Sequence, residues 1–159
     1  MDPNNEDMRN QAKSRRVLGI LIVIGIIAYG FFASGAPGIT IGFDPEVPVT
    51  YVYMEYSGRD VETERFTVYM KDVISVTCLE EFTFGEMVDG IENNNMRFGI
   101  WHNEELGDYK LSTISKIDMF VLIETTEGYV VMNYEGEETT EQLAIAIRDL
   151  SEEHKAAAA

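Results

Sequence analysis

Residues 17–33, VLGILIVIGIIAYGFFA, contain no charged side chain, and Arg15 and Arg16 stand immediately before them. At about 1.5 Å of rise per residue, this run makes a helix roughly 25 Å long. That is close to the lower limit for crossing a hydrocarbon core about 30 Å thick. Ser34, Gly35 and Ala36 extend it by a turn, and Pro37 ends it, because proline has no amide to continue the hydrogen-bond ladder. A helix on the surface of a soluble domain carries a polar face, and this one has none. The run predicts one membrane helix over residues 17–36. Its anchoring side chains are Val17, Leu18, Ile20, Leu21, Ile22, Val23, Ile24, Ile26, Ile27, Phe31 and Phe32.

Two membrane readings compete. In one the run is a retained anchor. In the other it is a secretory signal peptide, with Arg15 and Arg16 as the basic end and Ala33-Ser34-Gly35 as a small-residue cleavage site. The run is long for a signal sequence, and Asp2, Glu6 and Asp7 lie in the leader, so the anchor is favoured. Gly19, Gly25 and Gly30 do not form a GxxxG spacing, and no helix-dimer face is predicted. Arg9, Lys13, Arg15 and Arg16 precede the run, and the next basic residue is Arg59. The positive-inside rule then puts the N-terminus in the cytoplasm and the distal domain outside the cytoplasmic membrane.

That domain is strongly acidic. From residue 34 onward there are 25 Asp and Glu against 8 Lys and Arg, a net charge of −17. Such a surface repels nucleic acid and anionic headgroups, so nucleic acid is excluded as a partner. The single Cys78 cannot form an internal disulfide, and it sits in the apolar run VISVTCL. It reads as a small buried hydrophobe rather than a reactive thiol. The oxidation state of the compartment stays open.

In order, residues 1–16 are a polar tail, 17–36 the anchor and 37–48 a Pro- and Gly-rich linker. A domain over residues 49–155 follows, and then an alanine tail over 156–159. Within the domain, β-branched and aromatic residues mark strands at 49–56, 65–70, 73–79, 96–102, 109–112, 118–125 and 128–134. Residues 81–84 extend the third strand, and 85–95 read as a polar loop ending in Asn93-Asn94-Asn95. Gly99 inside a strand marks a bulge or a close backbone approach. Thr139 and Gln142 fit a capping box. Leu143, Ile147 and Leu150 form the apolar stripe of a final helix. The expected fold is mainly β: a small sandwich or barrel of about seven antiparallel strands, closed by a C-terminal amphipathic helix.

Several stretches together resemble the bacterial pleckstrin-homology-like (PH) domains found behind membrane helices. They are Lys71-Asp72-Val73-Ile74-Ser75-Val76, Phe98-Gly99-Ile100-Trp101 and Gly107-Asp108-Tyr109-Lys110-Leu111, then the hairpin over 120–131 and the acidic helix start Glu137-Glu138-Thr139-Thr140. In the loop before the Gly99 strand, where that family often has Arg and Gly, this chain has Asn93-Asn94-Asn95-Met96-Arg97. The resemblance implies a fold and a membrane setting, and it implies no ligand. Phosphoinositide binding needs several cations converging from the first hairpin loop. Residues 57–64 offer only Arg59, against Asp60, Glu62 and Glu64, so that ligand is not expected.

No nucleophile motif, P-loop, HExxH or CxxC pattern occurs. His102 beside Glu104 and Glu105 reads as a surface-turn histidine. The carboxylates at Glu80, Glu81, Asp89, Glu92, Glu135, Glu137 and Glu138 lack a calcium-loop spacing and read as a solvated surface. Phe82, Phe84, Phe98 and Trp101 read mainly as core. No catalytic, cofactor or metal residue is assigned. The expected function is a non-enzymatic, membrane-anchored interaction domain. It would bind the bilayer through its helix and a protein partner at the cell envelope through a sheet edge or loops. A calcium-dependent envelope protein and a domain secreted after cleavage are the alternatives, and an enzyme is the least expected.

Overall fold

A computed structural model of the chain describes residues 38–44, 49–58 and 61–158. Arg15, Arg16 and the expected anchor over residues 17–36 lie outside the described residues. Among those described, no helix is long and apolar enough to cross a membrane.

The described residues form nine strands in two sheets, followed by one long helix. The first sheet has three antiparallel strands: β1 (Gly38–Asp44), β2 (Val49–Gly58) and β3 (Val61–Tyr69). Period-two alternation sets its register. Ile39 pairs with Met54, Ile41 with Val52, and Val52 in turn with Val68, all on the buried face. The other face carries Tyr51, Tyr53 and Tyr69. Tyr51 lies 5.9 Å from Tyr53 and 6.0 Å from Tyr69, centroid to centroid. A one-residue slip would put these tyrosines in the core and the aliphatics in water.

The second sheet contains β4 (Val73–Leu79), β5 (Glu86–Glu92), β6 (Met96–Asn103), β7 (Gly107–Ile114), β8 (Phe120–Thr125) and β9 (Gly128–Met132). Their spatial order is β4-β8-β9-β7-β6-β5. Neighbours are antiparallel except β7 and β9, which run parallel. A 3-10 turn over Met70–Asp72 carries the chain from the first sheet to the second.

The inner strands of the second sheet are buried on both faces. One face sends Met96, Phe98, Val121, Ile123, Val130 and Met132 into a core shared with the first sheet and the helix. The opposite face carries Trp101, Tyr109, Leu111, Phe120 and Val131. The extended segment 80–85 crosses it, and Phe82 and Phe84 pack down as a lid. The Tyr109 hydroxyl donates to the Phe84 carbonyl, and Asn103 Nδ2 donates to the Thr83 carbonyl at 2.8 Å. These bonds tie the backbone of the crossing segment to the strands beneath it.

The helix, α1 (Glu137–Ala158), lays Leu143, Ala144 and Ile147 on the shared core. It touches β4, β8, β2 and the 3-10 turn. Thr140 fixes its start: the hydroxyl accepts from the Tyr134 amide at 3.0 Å and donates to the Gly136 carbonyl at 2.7 Å.

The chain is mainly β with a C-terminal helix, as expected, but the details differ. There are nine described strands rather than about seven, one pair is parallel, and the sheets do not join into a closed barrel. Residues 37–48, expected to be a linker, carry β1, because Ile39 and Ile41 find partners in β2 despite the flanking prolines. Residues 85–95, expected to be a loop, carry β5. Residues 81–84 form the lid rather than a strand. The Thr139–Gln142 capping box gives way to Thr140 bonding inside the first turn. The helix runs three residues beyond 155, into the alanine tail, because nothing in that tail breaks it.

Candidate functional site

The edges of the six-stranded sheet, β4 and β5, differ in chemistry. Along β4, the helix supplies cations to outward carbonyls. Arg148 Nη2 donates to Val76 O at 3.1 Å, and Lys155 Nζ donates to Ile74 O at 3.4 Å. Side chains thus occupy hydrogen-bonding positions that an added strand would need.

Along β5 no described strand pairs with the outer side. Every residue of β5 is exposed or half-exposed. Met87 is 46 % and Val88 58 % exposed, two of the four large apolar side chains that face solvent among the described residues. The β5–β6 register shifts between Met87 and Asp89, which leaves Val88 as the extra residue of a bulge. Glu86, Asp89 and Glu92 make the strand acidic. Glu92 accepts from Arg97 Nε at 2.8 Å, and the Arg97 guanidinium lies 4.4 Å over the Phe84 ring.

The pairing that holds β5 is unusually close in the middle. Gly90 faces Gly99 across the two strands, and both have φ in the positive region, 140° and 139°. A Cβ on either would sit 2.2 Å from a carbonyl oxygen of the opposite strand. Only glycine meets both demands.

Beside this edge, the free edge of the first sheet approaches the second. Glu64, Arg65 and Phe66 of β3, together with Asp89, Gly99 and Ile100, line a half-open groove of about 230 Å³. Phe66 stacks on Phe98 at 4.7 Å and forms the apolar end of the seam. Arg65 is held by Glu55 and lies 4.3 Å over the Tyr53 ring. That engagement leaves the carboxylates of Glu64 and Asp89 as the lining charge.

The residues singled out from sequence fall elsewhere. His102 is exposed on β6 and pairs through Nδ1 with Asp108 Oδ1 at 2.7 Å, rather than with Glu104 or Glu105. The carboxylates considered for calcium do not converge. Among the described residues, no group of three or more His, Cys, Asp or Glu could hold a metal ion. Phe98 and Trp101 are buried, while Phe82 and Phe84 are half-buried in the second core. Cys78 is half-buried against the shared core, and its thiol pKa is raised, first by desolvation and then by Glu141. Arg59 lies outside the described residues.

Sequence reasoning passed over Met87, Val88 and Gly90, and took Asp89 only as one carboxylate of a solvated surface. A signal was present: EMVDGIE and MRFGIWH flank an Asn-rich turn in which Asn93 Oδ1 accepts from the Asn95 and Met96 amides at 2.9 and 3.1 Å. That is the side-chain turn asparagine favours between paired strands.

Compared with protein-family models, with curated proteins and with solved structures, the chain gives no match.

Proposed function

We propose that this chain is a non-enzymatic interaction domain, held at the outer side of a cytoplasmic membrane by residues 17–36, that binds a protein partner by strand addition at β5. The carrying observation is the asymmetry of the two edges. Among the described residues neither edge has a strand on its outer side, but Arg148 and Lys155 bond to β4 carbonyls, while β5 exposes Met87 and Val88. Unpaired backbone groups on an edge strand are a template for another chain, and the flanking side chains supply selectivity. A relationship to the bacterial PH-like domains forms part of this proposal. Two sheets sharing a core with a terminal helix support it. The parallel β7–β9 pair departs from the antiparallel plan expected of it.

The test is photocrosslinking in intact membranes. A photoreactive residue at position 88 is expected to capture a protein, while one at Glu127, in the exposed β8–β9 turn, is not. Equal capture from both sites, or capture from neither, rejects strand addition at β5. For the placement, protease added to whole cells should cut the domain; cutting only after lysis overturns it.

A further inference from the structure

We infer that the segment β5 accepts is basic: an extended stretch of a partner protein with Lys or Arg at alternate positions and apolar residues between them. This rests on the strand-addition reading above and names its partner class. The two faces of β5 differ, and an added strand continues them both. On the side of the groove, Glu86 lies opposite His102 and Asp89 opposite Ile100, and Glu64 joins from β3. A neighbouring strand's residues on that side would meet two or three carboxylates. On the other face Met87 lies opposite Trp101, Gly90 and Gly99 contribute no side chain, and Glu92 at the end of the strand is paired with Arg97 opposite it. Residues there would meet Met87 and bare backbone, a surface suited to aliphatic side chains. Opposite charges on adjacent strands stabilise pairing and like charges oppose it.

The same chemistry rules out the other occupants of a free edge. A second copy of this chain would set Glu86, Asp89 and Glu92 against their own kind. An acidic or phosphorylated segment would meet the same repulsion, in the field of a chain of net charge −16. Arg65, which lines the groove, and Arg97, opposite Glu92 on β6, are already paired with Glu55 and Glu92. They do not offset the acidic character.

The experiment uses the full chain in detergent micelles and three synthetic strands of equal length, alternating Lys/Val, Thr/Val and Glu/Val. Binding is followed by anisotropy, and amide exchange reads residues 86–92. The Lys/Val strand is expected to bind tightest, to weaken with added salt and to slow exchange at residues 86–92. Glu86→Lys with Asp89→Lys should weaken it about tenfold, the equivalent of ~1.4 kcal/mol. Asp89→Asn serves if the double variant melts early. If Thr/Val or Glu/Val strands protect residues 86–92 as well, the charge preference falls and strand addition stands. If Lys/Val binds without slowing those amides, it only adheres to an acidic surface, and both readings fall. Absence of all binding, or self-association through β5, likewise overturns the inference.

Discussion

Gly90 and Gly99 meet across β5 and β6 with both backbones at positive φ, and each occupies space a side chain on the other strand would need. Alanine at either position combines left-handed strain with a clash against backbone that cannot swing aside. Strain of this kind costs about 1–3 kcal/mol, and the overlap adds to it. Gly90→Ala and Gly99→Ala should therefore each lower urea-unfolding stability by at least ~2 kcal/mol and speed exchange in β5 first. Gly128 also has a positive φ of 124°, but a Cβ there meets nothing within 4 Å. Gly128→Ala should cost less, and equal losses at all three positions would show that close approach contributes little.

The helix stripe separates buried from exposed apolar residues two positions apart. Ile147 is fully buried and Ile145 is 47 % exposed. Ile147→Ala removes core contacts from both sheets and should cost about 2–5 kcal/mol. Ile145→Ala should stay within ~0.5 kcal/mol of the parent. Chemical denaturation of the pair checks whether the helix seats as described.

Removing the cations that cover β4 should uncover a second edge. Arg148→Glu with Lys155→Glu takes the donors from Val76 O and Ile74 O. Since both side chains are exposed, little stability is at stake, about 1 kcal/mol or less. The expected change is concentration-dependent self-association seen by sedimentation, with exchange at β4 slowed in the associated form. A strictly monomeric variant would show that these side chains do not guard the edge.

Burial pushes the phenols of Tyr109 and Tyr134 up to about 12 from an ordinary value near 10. For Tyr134, Glu135 adds to the desolvation. Between those values the folded chain keeps protons that the unfolded chain releases, so stability falls as pH rises. It is fully present below about pH 10 and lost through about pH 12. Tyr109→Phe should flatten that alkaline decline in a denaturation series. It should also lower stability at neutral pH, because the Phe84 carbonyl loses its donor. An unchanged alkaline slope would place the loss elsewhere.

Sequence periodicity revealed the parts of the fold whose apolar residues form an uninterrupted run or stripe, whether their partners lie near or far. Residues 73–79 form β4 over the expected span, and the 120–134 stretch is a hairpin. The helix stripe of Leu143 and Ile147 is buried as expected. Elements whose apolar residues are broken up by proline, glycine or carboxylates were not legible. Ile39 and Ile41 lie between prolines and glycines, and they become a strand by pairing with Met54 and Val52 on the same buried face. EMVDGIE has too many carboxylates to read as a strand, and its pairing depends on a glycine contact nine residues away. The candidate edge was hidden for a different reason: a free edge is known only once every other strand has its neighbours. The parallel β7–β9 pair leaves no local mark, because the hairpin between them can fold onto either side.

β9 lies near the end of the chain but in the middle of the six-stranded sheet, between β8 and β7. Without it, β4–β8 and β5–β6–β7 pair only among themselves, with nothing to join them. While a ribosome or an export channel still holds residue 132, the sheet has a missing plank at its centre. Completion comes in one step, after the other five strands have all been released. A chain cut short before β9 would leave unpaired backbone on β7, well placed to seize a neighbour.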